Sequence, residues 1–236
     1  RFVADQTSTA VGTLPKGAVV INGARGASGT VLRNIYARDC VYGIVCNTIV
    51  DGAGQIVGGV DLDGFVLENC TTEGLTFSFA KEATAAYSSF KYRAHNGKII
   101  GVNRGITYYG TADGGAEHLS LKNITVSGCE RPLHFLNGAS TAKLKNCIME
   151  SIDIHCSINN AQISITGWNG SDCRFIMRDV KLFGPYSTAM GASVRLDGSY
   201  GFDIDGLHLY NFLNVGAYDL YTPLSRGTIK NVTFTN

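Results

Sequence analysis

"LSLKNITVSGC", residues 119–129, has alternating apolar residues on both sides of a central Asn and ends in a Cys. A close copy, "VDLDGFVLENC", occupies residues 60–70, and a third, "FDIDGLHLYNF", occupies residues 202–212 without the Cys. Internal repetition with a period of 20 to 50 residues is typical of stacked, solenoid architectures. The repeat therefore predicts that one short structural unit is stacked many times along the chain.

The central turn residue of each copy serves as an anchor for aligning the repeats. The eight anchors are Asn34, Gly64, Asn96, Asn123, Asn146, Asp179, Gly206 and Asn231, spaced 23 to 33 residues apart. Asn, Asp and Gly are the residues that most readily adopt a left-handed backbone conformation. An apolar residue stands two positions before every anchor, from Leu32 to Ile229, and the flanking residues alternate as in strands with one buried face. Each anchor is therefore predicted to be a tight bend between two short strands.

Equivalent residues of stacked coils form columns, because successive coils lie about 4.8 Å apart. The column from Leu32 to Ile229 is predicted to point inward. A second inward column contains Cys40, Cys70, Val102, Cys129, Ile152, Pro185 and Phe212. The residue just before each anchor is ionisable in all eight copies, which predicts a column facing solvent. The seven Cys are an odd number, and three of them, Cys40, Cys70 and Cys129, lie in the second inward column, which favours reduced, buried thiols over disulfides.

The composition limits the classes of function. A sequence pI near 7.7 and a net charge of +1 argue against a nucleic-acid partner. No apolar run approaches the roughly 18 residues of a membrane span, which argues against membrane insertion. Because the chain opens on Arg1 without a signal-peptide pattern, we expect it to be a fragment or a processed piece.

The segments "LRNIYARDCVYGI" (32–44) and "LKNITVSGCERPL" (121–133) resemble right-handed parallel β-helices of the pectate-lyase-like superfamily, most closely those of bacteriophage tailspikes and tail fibres. The resemblance covers residues 30–236 and implies an all-β, right-handed, single-stranded parallel β-helix of about eight coils after a lead-in segment, residues 1–29. It also implies a homotrimer, or a larger chain of which this sequence is the middle, since related tailspikes cover their open β-helix ends by trimerising and adding end domains. The Asn-x-Asp, Asp-Asp, Gly-His-Gly and Arg-x-Lys set of polygalacturonases is absent, which argues against that hydrolase mechanism.

Candidate site residues lie in two connecting segments. "GITYYGTADGGAEH" (105–118) combines the tandem aromatics Tyr108 and Tyr109 with the carboxylates of Asp113 and Glu117. Aromatic faces stack on sugars, and two carboxylates can act as acid and base in glycoside cleavage. The only Trp, Trp168, is a further candidate stacking residue. The alternatives are a polar loop without a ligand and a Trp that packs on the next coil. No His, Cys or carboxylate spacing predicts a metal site, and no cofactor is expected.

Three classes of function follow from this sequence. The first is a phage tailspike-like virion protein that recognises, and in one version depolymerises, a bacterial surface polysaccharide. The second is a secreted bacterial polysaccharide lyase or hydrolase. The third is a structural β-helical stalk or adhesin without enzymatic activity. Cys in core columns favours assembly in a reducing compartment and therefore the first class, in which the protein is located in the virion tail. The choice depends mainly on analogy of fold.

Overall fold

The computed structural model describes residues 2–5, 17–24, 30–50, 59–81, 91–110, 118–137, 144, 146–155, 163–166, 174–184, 192–197, 200–210, 218–221 and 226–235. These residues form strands and short bends. The strands are β1 (Phe2–Asp5), β2 (Gly17–Ala24), β3 (Thr30–Arg38), β4 (Tyr42–Val50), β5 (Gly59–Glu68), β6 (Glu73–Lys81), β7 (Lys91–Ile100), β8 (Arg104–Gly110), β9 (His118–Ser127), β10 (Arg131–Asn137), β11 (Asn146–His155), β12 (Ile163–Thr166), β13 (Phe175–Phe183), β14 (Ala192–Asp197), β15 (Tyr200–Tyr210), β16 (Tyr218–Tyr221) and β17 (Arg226–Thr235).

The strands alternate between two parallel sheets, so the chain is an all-β parallel β-solenoid. Sheet A contains the nine odd-numbered described strands, and sheet B contains the eight even-numbered ones. Each strand pairs in parallel with the strand two places along the chain. The described residues form about five turns of this solenoid, fewer than the eight coils predicted.

The predicted bends are present in sheet A, with one error. The anchors Asn34, Gly64, Asn96, Asn123, Asp179, Gly206 and Asn231 all have positive φ. In β11 the residue with positive φ is Ser151, at 54°, and not the predicted Asn146. The register confirms the shift, because Glu150 pairs with Lys122, the residue before Asn123. Asn146 is therefore an ordinary strand residue opposite His118.

The predicted inward columns form the core between the two sheets. Leu121 and Cys129 are both fully buried, as the repeat predicts. Gly97 interrupts an apolar column because the ring of Phe65 fills the space where its side chain would lie. Ile229, which the column also predicts to be inward, is 39% exposed. It lies on β17, the last strand of sheet A among the described residues, so no described strand packs over it.

The second sheet was not anticipated from the repeat. Residues 71–91, 103–117 and 130–142 look like variable connecting segments in the sequence, yet each contains a strand of sheet B, and residues 44–59 contain most of β4. The apolar pairs Leu75 and Phe77, then Leu133 and Phe135, point from these strands into the core. The lead-in segment also contributes β1 and β2, which pair with β3 and β4. The solenoid therefore begins before residue 30.

Polar side chains cover the outer face of sheet A. Lys122 and Glu150 form an ion pair of 3.0 Å, and Arg178 Nη2 lies 2.7 Å from Asp203 Oδ2. At the bends, Asn123 Nδ2 donates to Asn96 Oδ1 at 3.1 Å. These contacts join successive strands, and Lys122 and Arg178 of the predicted solvent-facing column keep 45% and 37% of their side chains exposed. Lys145, another predicted member of that column, lies outside the described residues. Among the described cysteines, Cys40, Cys46, Cys70, Cys129 and Cys147 are free and buried.

Candidate functional site

A row of polar side chains lies on the outer face of sheet B, across β6, β8 and β10. The strands read "EGLTFSFAK", "RGITYYG" and "RPLHFLN", and the register aligns their first and fourth residues. The first residues are Glu73, Arg104 and Arg131, and the fourth are Thr76, Thr107 and His134. The fourth residues alternate with core residues, so they point away from the core, yet they are buried. We call these six residues, with Tyr109, the outer polar cluster.

Glu73 is the centre of the hydrogen-bond network in this cluster. Its Oε1 accepts hydrogen bonds from Arg104 Nη1, at 3.1 Å, and from the Tyr109 hydroxyl. Its Oε2 accepts a hydrogen bond of 2.5 Å from Thr76 Oγ1. Arg104 Nη1 also lies 2.6 Å from Tyr109 Oη. Because burying a carboxylate is costly unless it is paired and hydrogen-bonded, this network explains how Glu73 is tolerated at 2% exposure.

Three polar atoms of the cluster have no hydrogen-bond partner among the described residues. They are Arg104 Nε, Thr107 Oγ1 and His134 Nδ1. Thr107 is fully buried, and His134 is 6% exposed. Buried polar groups in proteins are nearly always hydrogen-bonded, so three unpartnered atoms on adjacent strands are unusual. They mark this part of sheet B as a candidate binding site.

The electrostatics of the cluster keep His134 neutral. Burial, followed by repulsion from Arg131 and Arg104, lowers the pKa of the His134 imidazole to about 4, although Glu73 opposes this shift. Burial and the hydrogen bond to Glu73 raise the pKa of the Tyr109 hydroxyl. At neutral pH His134 is therefore a neutral imidazole and Tyr109 a neutral phenol.

The structure separates the site residues predicted from sequence. Tyr108 is a core residue with no exposed face, and its ring centroid lies 6.2 Å from that of Phe135. Its expected role as a stacking platform is therefore not compatible with its position. Tyr109 points to the opposite side of β8 and joins the outer polar cluster. Asp113, Glu117 and Trp168 lie outside the described residues, and their roles stay predictions.

Glu73, Arg104, Arg131 and His134 were not identified from sequence as site residues. Their signal is the alignment of "EGLT", "RGIT" and "RPLH", which becomes visible only once the register of sheet B is known. Within the described residues, no group of three His, Cys, Asp or Glu is placed to hold a metal ion. The same residues contain no helix that is long and apolar enough to cross a membrane.

Comparison of the chain with protein-family models, curated proteins and solved structures finds no match. The parallel β-solenoid is thus established by the strand order and register. A function has to be argued from the outer polar cluster itself.

Proposed function

We propose that the chain recognises an extended bacterial surface polysaccharide along the outer face of sheet B. The observation that carries this proposal is the outer polar cluster, which places hydrogen-bonding and charged groups side by side on three adjacent strands. Neighbouring strands of a sheet lie about 4.8 Å apart, so the row offers a sugar chain a regular series of donors and acceptors. Solenoids commonly use such extended faces for binding.

The resemblance to tailspike β-helices supports the biological setting of the proposal. In this setting the solenoid is right-handed, the protein belongs to a virion tail and the chain assembles as a homotrimer. Both sheets end in strands that have no further described neighbour, β1 and β17 in sheet A. Open strand edges favour association with other chains, and an assembly would cover these edges.

Sedimentation velocity tests the assembly. It should give a mass about three times the 25.2 kDa of the chain, and a stable monomer would contradict the assembly.

Recognition fits the geometry of the cluster better than cleavage. Glu73 accepts hydrogen bonds from Arg104, Tyr109 and Thr76, so neighbouring side chains occupy three of the roughly four acceptor positions of this carboxylate. A glycosidase needs two carboxylates that face the scissile bond, and Glu73 is the one carboxylate of the cluster. Asp113 and Glu117 stay the predicted acid and base in case the chain also cleaves the polysaccharide that it binds.

A binding panel of bacterial capsular and O-antigen polysaccharides tests the proposal. Arg131→Ala removes an outward cation from the cluster, and Lys98→Ala removes an exposed cation from the outer face of sheet A as a matched control. We expect one polysaccharide to bind, Arg131→Ala to weaken this binding at least tenfold, and Lys98→Ala to leave it unchanged. Release of reducing ends in the same samples identifies cleavage. If no polysaccharide binds, the chain is better explained as a structural stalk.

A further inference from the structure

The outer polar cluster carries an excess of positive charge. The cluster contains two guanidinium groups, of Arg104 and Arg131, and one carboxylate, that of Glu73, whose Oε1 is 3.1 Å from Arg104 Nη1. Arg131 lies opposite Arg104 in the register of β8 and β10, and its positive charge helps to lower the pKa of the His134 imidazole. A charge in a partly desolvated site attracts an opposite charge more strongly than it would in water.

The unpartnered atoms lie next to this excess charge. Thr107 and His134 are direct neighbours in the register of β8 and β10, and Arg104 precedes Thr107 on β8. The hydrogen bonds from Thr76 to Glu73 and from Arg104 to Tyr109 show that side chains of first residues fold back over the same outer face. Arg104 keeps 32% of its side chain exposed, so solvent reaches part of this side chain beside the buried atoms.

The chemistry of these atoms favours a ligand that accepts hydrogen bonds and carries a negative charge. Arg104 Nε–H and the Thr107 hydroxyl are hydrogen-bond donors, and a neutral imidazole donates from Nδ1 in one of its tautomers. A cation would be repelled by both guanidinium groups, and a neutral sugar hydroxyl would leave the excess charge uncompensated. Hydrogen bonds to a charged acceptor are about twice as strong as those between neutral groups.

We propose that the polysaccharide bound at this face carries an anionic oxygen group, and that Arg104 Nε, the Thr107 hydroxyl and His134 Nδ1 bind it. The inference rests on the proposed function and specifies its substrate class as an acidic glycan. The anionic group is a carboxylate of an acidic sugar or a phosphate in the glycan backbone. Glu73 and Tyr109 position Arg104 and do not contact the anion, because their hydrogen bonds are made with each other and with the arginine.

Titration of the full 236-residue chain with small probes tests the site directly. The probes are sodium glucuronate, sodium phosphate and, as a neutral sugar, glucose. We expect the ring resonances of His134 to shift and saturate with one of the two anions and to stay in place with glucose. The anion that saturates identifies the group as carboxylate or phosphate. Unchanged His134 resonances with both anions would overturn the site.

Two threonines of the same row provide matched variants. Thr107→Val removes an unpartnered hydroxyl, whereas Thr76→Val removes one that donates to Glu73. Thr107→Val should weaken binding of the anion about tenfold to a hundredfold, since a hydrogen bond to a charged group is lost. Lys98→Ala, on the outer face of sheet A, should bind the anion within about twofold of the original chain. Unchanged binding by Thr107→Val contradicts the inference.

The stability of the same variants, measured by urea unfolding, provides a second readout. Thr107→Val should unfold at the same urea concentration as the original chain or at a higher one, because it removes a buried hydroxyl that lacks a partner. Thr76→Val should unfold at a lower concentration, because Glu73 loses a hydrogen bond. A loss of stability in Thr107→Val as large as in Thr76→Val would show that the hydroxyl has a structural partner, and it would overturn the site.

Carboxyl reduction of a bound polysaccharide separates this inference from the proposed function. If the glycan binds through a carboxylate, reducing its uronates to neutral sugars should abolish binding to the original chain. Equal affinity before and after reduction, together with a phosphate-free glycan, would contradict the anion site and leave polysaccharide recognition in place. Failure of every polysaccharide to bind, with the glucuronate shift of His134 intact, would instead contradict the proposed function.

Discussion

Glu73 and Arg104 are the first residues of adjacent strands of sheet B, and their side chains form an ion pair of 3.1 Å on the outer face of the solenoid. The Glu73 side chain is 3% exposed and the Arg104 side chain 32%, so the pair lies at the boundary between protein and solvent. Pairs in this position differ from surface ion pairs, because loss of one partner leaves the other only partly hydrated. The pair therefore has measurable consequences for stability.

Glu73→Gln should destabilise the chain by about 2 to 3 kcal/mol, because an amide group would face the donors Arg104, Tyr109 and Thr76 in a buried position. Urea unfolding followed by circular dichroism measures the change. Glu150→Gln is the control, since it breaks a pair of similar length with Lys122 in which both side chains are nearly half exposed. That substitution should cost less than about 1 kcal/mol. Equal losses in both variants would contradict the assignment of Glu73 as a buried centre.

Ser151→Asn should stabilise the chain by about 0.5 to 1 kcal/mol. Ser151 has a φ of 54°, a conformation that Asn adopts more readily than Ser. The Asn side chain could also replace the weak hydrogen bond of 3.4 Å from Ser151 to Asp179. Asn123→Ala, at the equivalent bend, should be destabilising by about 1 to 2 kcal/mol, because it strains the backbone and removes the hydrogen bond to Asn96. In thermal unfolding, Ser151→Asn should raise the melting temperature of the chain and Asn123→Ala should lower it.

The position of Ser151 also explains what could be predicted from the sequence of sheet A. Inward residues occur four and two positions before each bend and one and three positions after it. Moving the bend of β11 by five residues, from Ser151 to Asn146, keeps Cys147, Met149 and Ile152 inward, so the apolar pattern fits both registers. Asn146 is the better turn residue of the two, and the propensity therefore favoured the wrong position. Only pairing with neighbouring strands distinguishes them.

Sheet B could not be aligned from the sequence for a different reason. Its apolar pairs begin at a variable distance after the bends, at Leu75, Leu133 and Val194 for example, because the connections differ in length. The outer polar cluster depends on this alignment, and hence its residues were not recognisable as a group. Tyr109 alone was identified, for its aromatic ring, whereas the structure shows its hydroxyl in a network with Glu73.

Leu121→Ala should destabilise the chain by about 3 kcal/mol, because it creates a cavity in a fully buried column. Ile229→Ala, at the equivalent position of β17, should cost clearly less, since Ile229 is 39% exposed. Urea unfolding of both variants compares the loss of stability at two positions of the same inward column. A similar loss at the two positions would indicate that Ile229 is covered in solution, for example by another chain of an assembly.

The buried thiols should make the stability of the chain fall at high pH. Burial raises the pKa of Cys129 to about 11 and, with a further contribution from Cys40, that of Cys70 to about 12, from an ordinary value near 9. Because the folded pKa exceeds the unfolded one, the full contribution is present below about pH 9 and is lost as the pH rises to between 11 and 12. Urea unfolding at pH 8, 9.5 and 11 measures this decline. Cys70→Ala combined with Cys129→Ala should show a shallower decline, since tyrosines and lysines titrate equally in both chains. An identical slope would show that these two thiols are already ionisable in the folded chain, contrary to their burial in the core column.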